Sequence, residues 1–397
     1  MTKVLYVCPL AHLAGHPPWA SMNEPKALAD IGLDVTLLTF CGIRKGCEAL
    51  VPETHVIKKD YLDTLRKYLL LQWVVRIFEC GFTLLKAAWL SRHYDIIHLR
   101  DGEPFPFIPH LLSVFFRRKW LVSLTGGIFT VTDSTKTTGR KGLLPLYRLL
   151  FNTVINGPQW RLIYVLGHKY SKFRYITQDS QTASHYNHMF KDKIHVVPMG
   201  SELKQLMSRV EARKRLGLPL DKTVLLLFGV PHSGKDNEVV FRALKDLPNT
   251  TLICAGASYL SVGQSSAYLA KKYDLGSKAK IYDFFIPESE KSMFFGASDW
   301  AILSYTKAFS STSSMLWESC AYQLPVISSD ANILSELVRK YDVGLLFEAE
   351  DSESLKEIII QAARVDRTEL KANCKKFVQE HSLEKWANRC KEIYGSY

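Results

Sequence analysis

The chain has 397 residues, 47% of them hydrophobic and 23% charged, a length that predicts two domains of the usual ~100–200 residues. This composition excludes disordered, collagen-like and low-complexity classes. The net charge of +12 is lopsided: residues 1–200 carry 25 Lys and Arg against 14 Asp and Glu, whereas residues 201–397 carry 26 against 25. A basic half of this kind attracts nucleic acid, anionic lipid or phosphorylated ligands.

Residues 4–7 read as a strand, too short before Pro9 to be the core of a signal peptide, so a cytoplasmic location is expected. A loop holding Gly15, His16, Pro17 and Pro18 follows, then a helical pattern over 24–30 and a strand at 35–40. That is the β-loop-α-β opening of a doubly wound sheet. Apolar runs at 95–98, 120–124, 175–177 and 195–198 predict later parallel strands with helices between them. From Thr223 the pattern restarts, with strands expected at 224–228, 251–255, 280–282, 300–303 and 325–328 and a helix at 238–244. The fold class is therefore α/β, with two Rossmann-like doubly wound domains, residues 1–200 and 201–382, facing a cleft. A linker is expected near 200–222, and a helix over 383–397 is expected to pack back toward the first domain. The eight cysteines are scattered with no C-x-x-C pair, which points to a reducing compartment and away from zinc or disulfide frameworks.

Two segments of the first half depart from simple alternation. In residues 61–90, Leu62, Leu65, Leu69, Trp73 and Ile77 recur at three- and four-residue spacing among Lys58, Lys59, Arg66, Lys67, Arg76 and Lys86, a basic amphipathic pattern. A spanning helix needs about 20 residues nearly free of charge, and Gln72, Arg76, Glu79 and Lys86 interrupt this one. Residues 136–172 mix Arg140, Lys141, Arg148, Arg161, Lys169 and Lys172 with Leu143, Leu144, Trp160 and Tyr164. Both segments suit an anionic bilayer surface, where each basic residue gains about 1 kcal/mol. The plainer alternative is helices packed on the sheet with wet basic edges.

The second half holds the most informative loop-helix junctions. Ser310, Ser313, Ser314 and Met315 lie where a strand gives way to a helix. Hydroxyl residues cap such a helix, whose free N–H groups and positive dipole end would hold a diphosphate. Glu318, one turn on, is placed to accept ribose hydroxyls, or else is a first-turn acid favoured by the dipole. Lys235 sits in a Gly-rich turn and would stabilise charge on a diphosphate leaving group without a metal. The loop 229–236 lacks the glycine spacing of a hydrolysing P-loop, and no D-x-D pair occurs, so no metal cofactor is expected. In the first domain, ligands bind beyond the carboxyl ends of parallel strands. There Arg100 is a candidate phosphate contact, and Asp101 and Glu103 are candidates for a base or an acceptor contact. His16 is comparable to these, and Gly15, Thr125, Gly126 and Gly127 stand at turns where backbone would approach a ligand.

The stretch from Ser310 to Ile327 resembles the signature of the group 1, or family 4, retaining glycosyltransferases, whose architecture is called GT-B. That signature has two glutamates separated by seven residues, the second followed by a small residue, a glycine and Pro-Val-Ile. Glu318 matches the second glutamate, which binds the donor ribose in the family; Ser310 stands where the first contacts the donor sugar, and Gln323 replaces the glycine. Residues 193–200 and 298–304 are similar to family strands. The loop 229–235 resembles one whose arginine and lysine neutralise the donor diphosphate, with Lys235 kept and Val230 at the arginine position. A histidine common after the strand at 120–124 is replaced by Thr125-Gly126-Gly127.

The resemblance implies a retaining, metal-independent transferase acting in surface polysaccharide or oligosaccharide assembly. It would move a sugar from a UDP- or GDP-sugar to a lipid-linked or glycan acceptor at the cytoplasmic face of the membrane. The implied partners are that donor, that acceptor, the anionic membrane surface and a possible partner subunit. Nucleic acid is not expected, because long apolar faces dilute the basic residues. Two alternatives share the fold: a sugar-nucleotide 2-epimerase, and a catalytically degenerate partner subunit suggested by Ser310, Val230 and Thr125.

Overall fold

Runs such as Val4-Leu5-Tyr6-Val7, wholly buried, are apolar on both faces and can be satisfied only inside a parallel sheet covered on both sides. A computed structural model, which describes residues 1–11, 16–41, 53–57, 69–100, 118–124, 172–184, 193–231, 234–257, 265–309 and 312–397, shows two such sheets. The chain divides into two units, Met1–Pro198 with Leu383–Tyr397, and Met199–Ser382.

The first unit contains β1 (Lys3–Val7), β2 (Asp34–Thr39), β3 (Glu53–Val56), β4 (Ile96–Leu99), β5 (Lys119–Leu124), β6 (Lys172–Thr177) and β7 (Ile194–Val196). They lie in the order β3-β2-β1-β4-β5-β6-β7, each pair parallel. Side chains alternate across the sheet. Val4 and Tyr6 join Ala27 and Leu28 of helix α1 (His16–Asp30) and Trp386, Ala387 and Ile393 of the last helix (Leu383–Gly395). Leu5 and Val7 point the other way, to Leu84 and Ala87 of α2 (Leu69–Leu90) and to Trp120 and Phe173. Of the two basic segments, residues 58–68 and 136–171 fall outside the described residues. Among those described, no helix is long and apolar enough to cross a membrane.

The second unit contains β8 (Thr223–Phe228), β9 (Thr250–Ala255), β10 (Ala279–Tyr282), β11 (Trp300–Leu303), β12 (Val326–Ser329) and β13 (Gly344–Phe347). Their order is β10-β9-β8-β11-β12-β13, again parallel. Its helices are α3 (Arg209–Leu216), α4 (Asn237–Leu244), α5 (Ser266–Lys272), α6 (Glu288–Ala297), α7 (Ser314–Ala321), α8 (Asn332–Tyr341), α9 (Ser352–Ala362) and α10 (Thr368–Glu380). Leu225, Leu227, Phe241, Trp300, Ile302 and Ile327 form its core with Leu355 and Ile359. The strand order reverses between β8 and β11, and this is where open α/β sheets hold ligands.

Two expectations need correction. Residues 200–222 are no bare linker: Ser208 caps α3 by accepting from the Glu211 amide, and Gly217, at φ +61°, ends it. The buried Arg213 of α3 donates to Asp299 at 2.5 Å and to the carbonyls of Ala297 and Lys222, both at 2.9 Å. Asp299 also accepts from Arg367 and from the Val224 amide, so the buried charges are paired and hydrogen-bonded as burial requires. The edge strands β3 and β13 are additional to those expected.

Candidate active site

The site is built where β8 and β11 part. Gly229, the first residue after β8, adopts φ +94°, and Gly256, the first after β9, adopts φ +144°. A Cβ on Gly256 would stand 2.6 Å from the Gly229 carbonyl oxygen, so only glycine fits this contact of the two loops. The chain then returns to the segment after β11. Lys235 forms an antiparallel bridge with Tyr305, the Thr306 amide donates to Gly234 O at 3.1 Å, and the Asp236 amide donates to Ser304 O at 2.9 Å. Asp236 then caps α4 by accepting from the Val239 amide at 3.3 Å.

These contacts set the Lys235 ammonium at the carboxyl end of β8, where it donates to Phe228 O at 3.2 Å. Burial pushes its pKa down to about 8, so it remains mostly cationic at neutral pH. A Cβ on Gly229 would lie 3.6 Å from Lys235 Nζ and 3.9 Å from Met315 Sδ. Gly229 thus separates the ammonium from the first turn of α7. Ser313 caps that helix, accepting from the Met315 amide at 3.2 Å. Its hydroxyl meets Tyr305 OH at 2.6 Å, and Phe309 stacks on the Tyr305 ring with centroids 4.0 Å apart.

Glu318 lies one turn into α7. Its Oε1 accepts from Lys204 at 2.9 Å and from Lys291 at 3.0 Å, and Glu288 binds the same two lysines at 2.5 and 2.7 Å. Burial alone would raise the Glu318 pKa, but Lys291 and Lys204 outweigh it and hold the carboxyl well below the usual range. In return the carboxylates raise both lysines against their own desolvation. The cluster joins the Lys235 loop through Phe228, whose ring faces Lys291 at 6.0 Å while its carbonyl accepts from Lys235.

Lys204 and Lys291 were not foreseen. Lys204 lies in the segment read as a linker, and Lys291 shows in the sequence only as the partner of Glu288 three residues earlier. Ser310 falls outside the described residues, as do Gly15, Asp101, Glu103, Thr125, Gly126 and Gly127.

In the first unit, Arg100 is 2% exposed, and its guanidinium sits 3.4 Å from Glu24 of α1, which also accepts from Tyr6 OH. The candidate phosphate contact is thus engaged in a buried ion pair. Beside it, His98 Nδ1 meets Tyr394 OH at 2.7 Å and Nε2 meets Ser123 Oγ at 3.2 Å. Burial pushes the imidazole pKa down to about 3, so it is neutral and structural. His16 is the first residue of α1.

Two parallel sheets of Rossmann order, the second with a lysine and a capped helix at its switch point, define the GT-B class of fold. Residues 208–381, within the second unit, match the family described as Glycosyl transferases group 1. No curated protein sequence matches the chain. Among solved structures, the chain is similar to HepE of Anabaena in complex with UDP and glucose, at 16% identity and a TM-score of 0.72, over 100% of both chains. It is also similar to WaaG, a glycosyltransferase involved in lipopolysaccharide biosynthesis, at 15% identity and 0.69, over 98% of this chain and 99% of that one. The sucrose-phosphate synthase of Thermosynechococcus elongatus gives 17% and 0.66, over 100% and 99%. At these identities the likeness is one of fold.

Proposed function

We propose that the protein is a retaining glycosyltransferase that moves a sugar from a UDP- or GDP-sugar to a lipid-linked or glycan acceptor at the cytoplasmic membrane face. The observation that carries this reading is the placement of Lys235 beside the first turn of α7, at the switch point of a unit that matches the group 1 family. The complexes of HepE with UDP and with UDP-glucose support it.

In this scheme the donor diphosphate lies between the Lys235 ammonium and the N-terminus of α7. Negative charge grows on the diphosphate as the sugar leaves, and a fixed cation in a poorly solvated site stabilises it more in the transition state than in the ground state. Glu318, ionised at neutral pH because Lys291 and Lys204 lower its pKa, turns Oε2 to the ribose hydroxyls while the lysines hold Oε1. Lys235 takes the charge-neutralising role commonly given to a metal, so none is required. The basic first half favours an acceptor that carries phosphate or lies on anionic lipid.

The test is calorimetric titration of the full chain with UDP and GDP, followed by transfer from labelled UDP- and GDP-sugars to a membrane-lipid extract with EDTA present. Binding of one nucleotide and labelled product in EDTA are expected. Failure of both nucleotides to bind would overturn the donor site. Binding without transfer would favour the degenerate partner subunit, and free epimerised sugar nucleotide without acceptor would favour the 2-epimerase. Activity lost in EDTA and restored by Mg²⁺ would reject metal independence.

A further inference from the structure

Helix α2 is apolar on two opposite faces. Its inner face buries Val75, Cys80, Leu84, Ala87 and Ala88, with Leu84 and Ala87 packed beside Trp120 and Phe173. Its outer face carries Phe78, Phe82, Leu85 and Trp89, exposed by 55%, 53%, 56% and 51%. The spacing of four, three and four residues puts them in one stripe, about 16 Å long at 1.5 Å per residue. The Phe78 and Phe82 rings stack with centroids 6.2 Å apart. At the far end, Lys86 Nζ lies 4.2 Å and the Arg92 guanidinium 4.6 Å from the centre of the Trp89 ring.

An outward helix face is normally polar, and a continuous exposed aromatic row marks an interaction surface. The charges on α2, Arg76, Glu79 and Lys86, keep it from spanning a bilayer. An aromatic stripe ending in tryptophan with cations beside it is the side-chain set that settles at the headgroup boundary, rings among the acyl chains and cations on the phosphates. The sign of the charge selects among partners. Lys86 and Arg92 are cationic, whereas Glu79, the one acid of α2, is buried on the inner face. A second copy of α2 would therefore offer these cations no anion, and a phospholipid surface offers one at every headgroup.

We propose that the outer stripe of α2 is the docking face for an anionic bilayer, with the helix lying in the plane of the interface. This rests on the membrane-face part of the proposed function, but not on sugar transfer. It differs from adsorption by charge alone, because the apolar stripe gives a component of binding that salt does not screen.

The experiment is co-sedimentation of the full chain with vesicles of equal parts phosphatidylglycerol and phosphatidylcholine, at low and high salt. The variants are Phe82→Gln with Trp89→Gln, and Lys86→Gln with Arg92→Gln. The substituted side chains are exposed, and melting temperature and UDP titration, recorded alongside, report fold and donor site separately from docking. The wild type is expected to bind and to keep part of its binding in high salt. Loss of the two aromatics should weaken binding at least about tenfold and abolish the salt-resistant part, and loss of the two cations should remove mainly the salt-sensitive part. A wild type that ignores the vesicles overturns the membrane reading and the docking face together. An aromatic variant that binds like the wild type overturns the docking face and leaves adsorption by charge. A wild type that is dimeric without lipid, and monomeric once the aromatics are replaced, shows that a second copy covers the stripe and likewise overturns it.

Discussion

Lys235 and Tyr305 pair across an isolated antiparallel bridge, which ties the loop leaving β8 to the segment leaving β11. The Tyr305 hydroxyl also meets Ser313, the cap of α7. One aromatic residue thus connects the cation expected to meet the donor diphosphate with the helix end expected to face it.

Lys235→Met should weaken UDP binding by about 2–3 kcal/mol, the range of a charge-assisted contact, with little change in melting temperature. In the wild type, UDP affinity should be flat below pH 8 and fall as the pH rises through it, because the free ammonium, with its pKa lowered to about 8, loses the proton that the anion needs. Lys235→Arg should bind UDP without that decline, since guanidinium stays charged. A wild-type affinity that does not change between pH 7 and 9 would remove Lys235 from the donor site.

Glu318→Gln should lower the stability of the second unit by about 1–3 kcal/mol, since Lys204 and Lys291 would keep only Glu288 as a charged partner. The pH dependence follows from the lowered Glu318 pKa. Its stabilisation is full above the ordinary glutamate value of 4.5 and is lost as the pH falls below it. The gap in melting temperature between wild type and variant should therefore narrow from pH 6 to pH 3. A gap constant over that range would show that the lysines do not stabilise the carboxylate.

Gln323 adopts φ +50° at the end of α7, its amide donating to Cys320 O at 2.9 Å. A side chain in the left-handed region costs about 1–2 kcal/mol. Gln323→Gly should stabilise the second unit by about 1 kcal/mol, less the entropy glycine adds to the unfolded chain, or roughly 2–4 °C in melting temperature. A lowered melting temperature would mean that the Gln323 side chain stabilises the turn by more than its backbone strains it.

Tyr394→Phe should cost the first unit about 1–3 kcal/mol, since it leaves His98 Nδ1 buried without its partner. The imidazole itself sets a pH dependence. Its folded pKa, about 3, lies below the ordinary 6.5, so the unfolded chain binds the extra proton between these values and the stability of the first unit should fall as the pH drops below about 6.5. His98→Asn should flatten that slope in chemical denaturation, and a slope unchanged by the substitution would assign it to other groups.

The central strands were legible because each is apolar on both faces; β8, with Val224-Leu225-Leu226-Leu227-Phe228, leaves no other fate for its side chains. The edge strands were not. In β3, Glu-Thr-His-Val is polar and half-exposed, and its pairing is decided by the neighbouring β2. The helix α3, Arg-Val-Glu-Ala-Arg-Lys-Arg-Leu, looks like a solvated connection until Asp299, far off in sequence, neutralises Arg213. The same contrast runs through the candidate site. Lys235, Ser313, Ser314 and Glu318 announce themselves by turn and cap chemistry, which is local. Lys204 and Lys291 reach Glu318 across 114 and 27 residues of chain, and no local pattern carries a pairing of that kind.

The last helix completes the first unit, with Trp386, Ala387, Cys390, Ile393 and Tyr394 buried in a core whose strands come from the beginning of the chain. The second unit is therefore nested inside the first, and this sets an order on biosynthesis. The ribosome must emit all of Met199–Ser382 before the side chains that close the first core exist, a wait on the order of 10–40 s at about 5–20 residues per second. During that interval Val4, Tyr6 and Leu28 lack their covering helix, and the later-made unit can finish folding first. A nascent chain stalled within the second unit should thus be the form that chaperones hold.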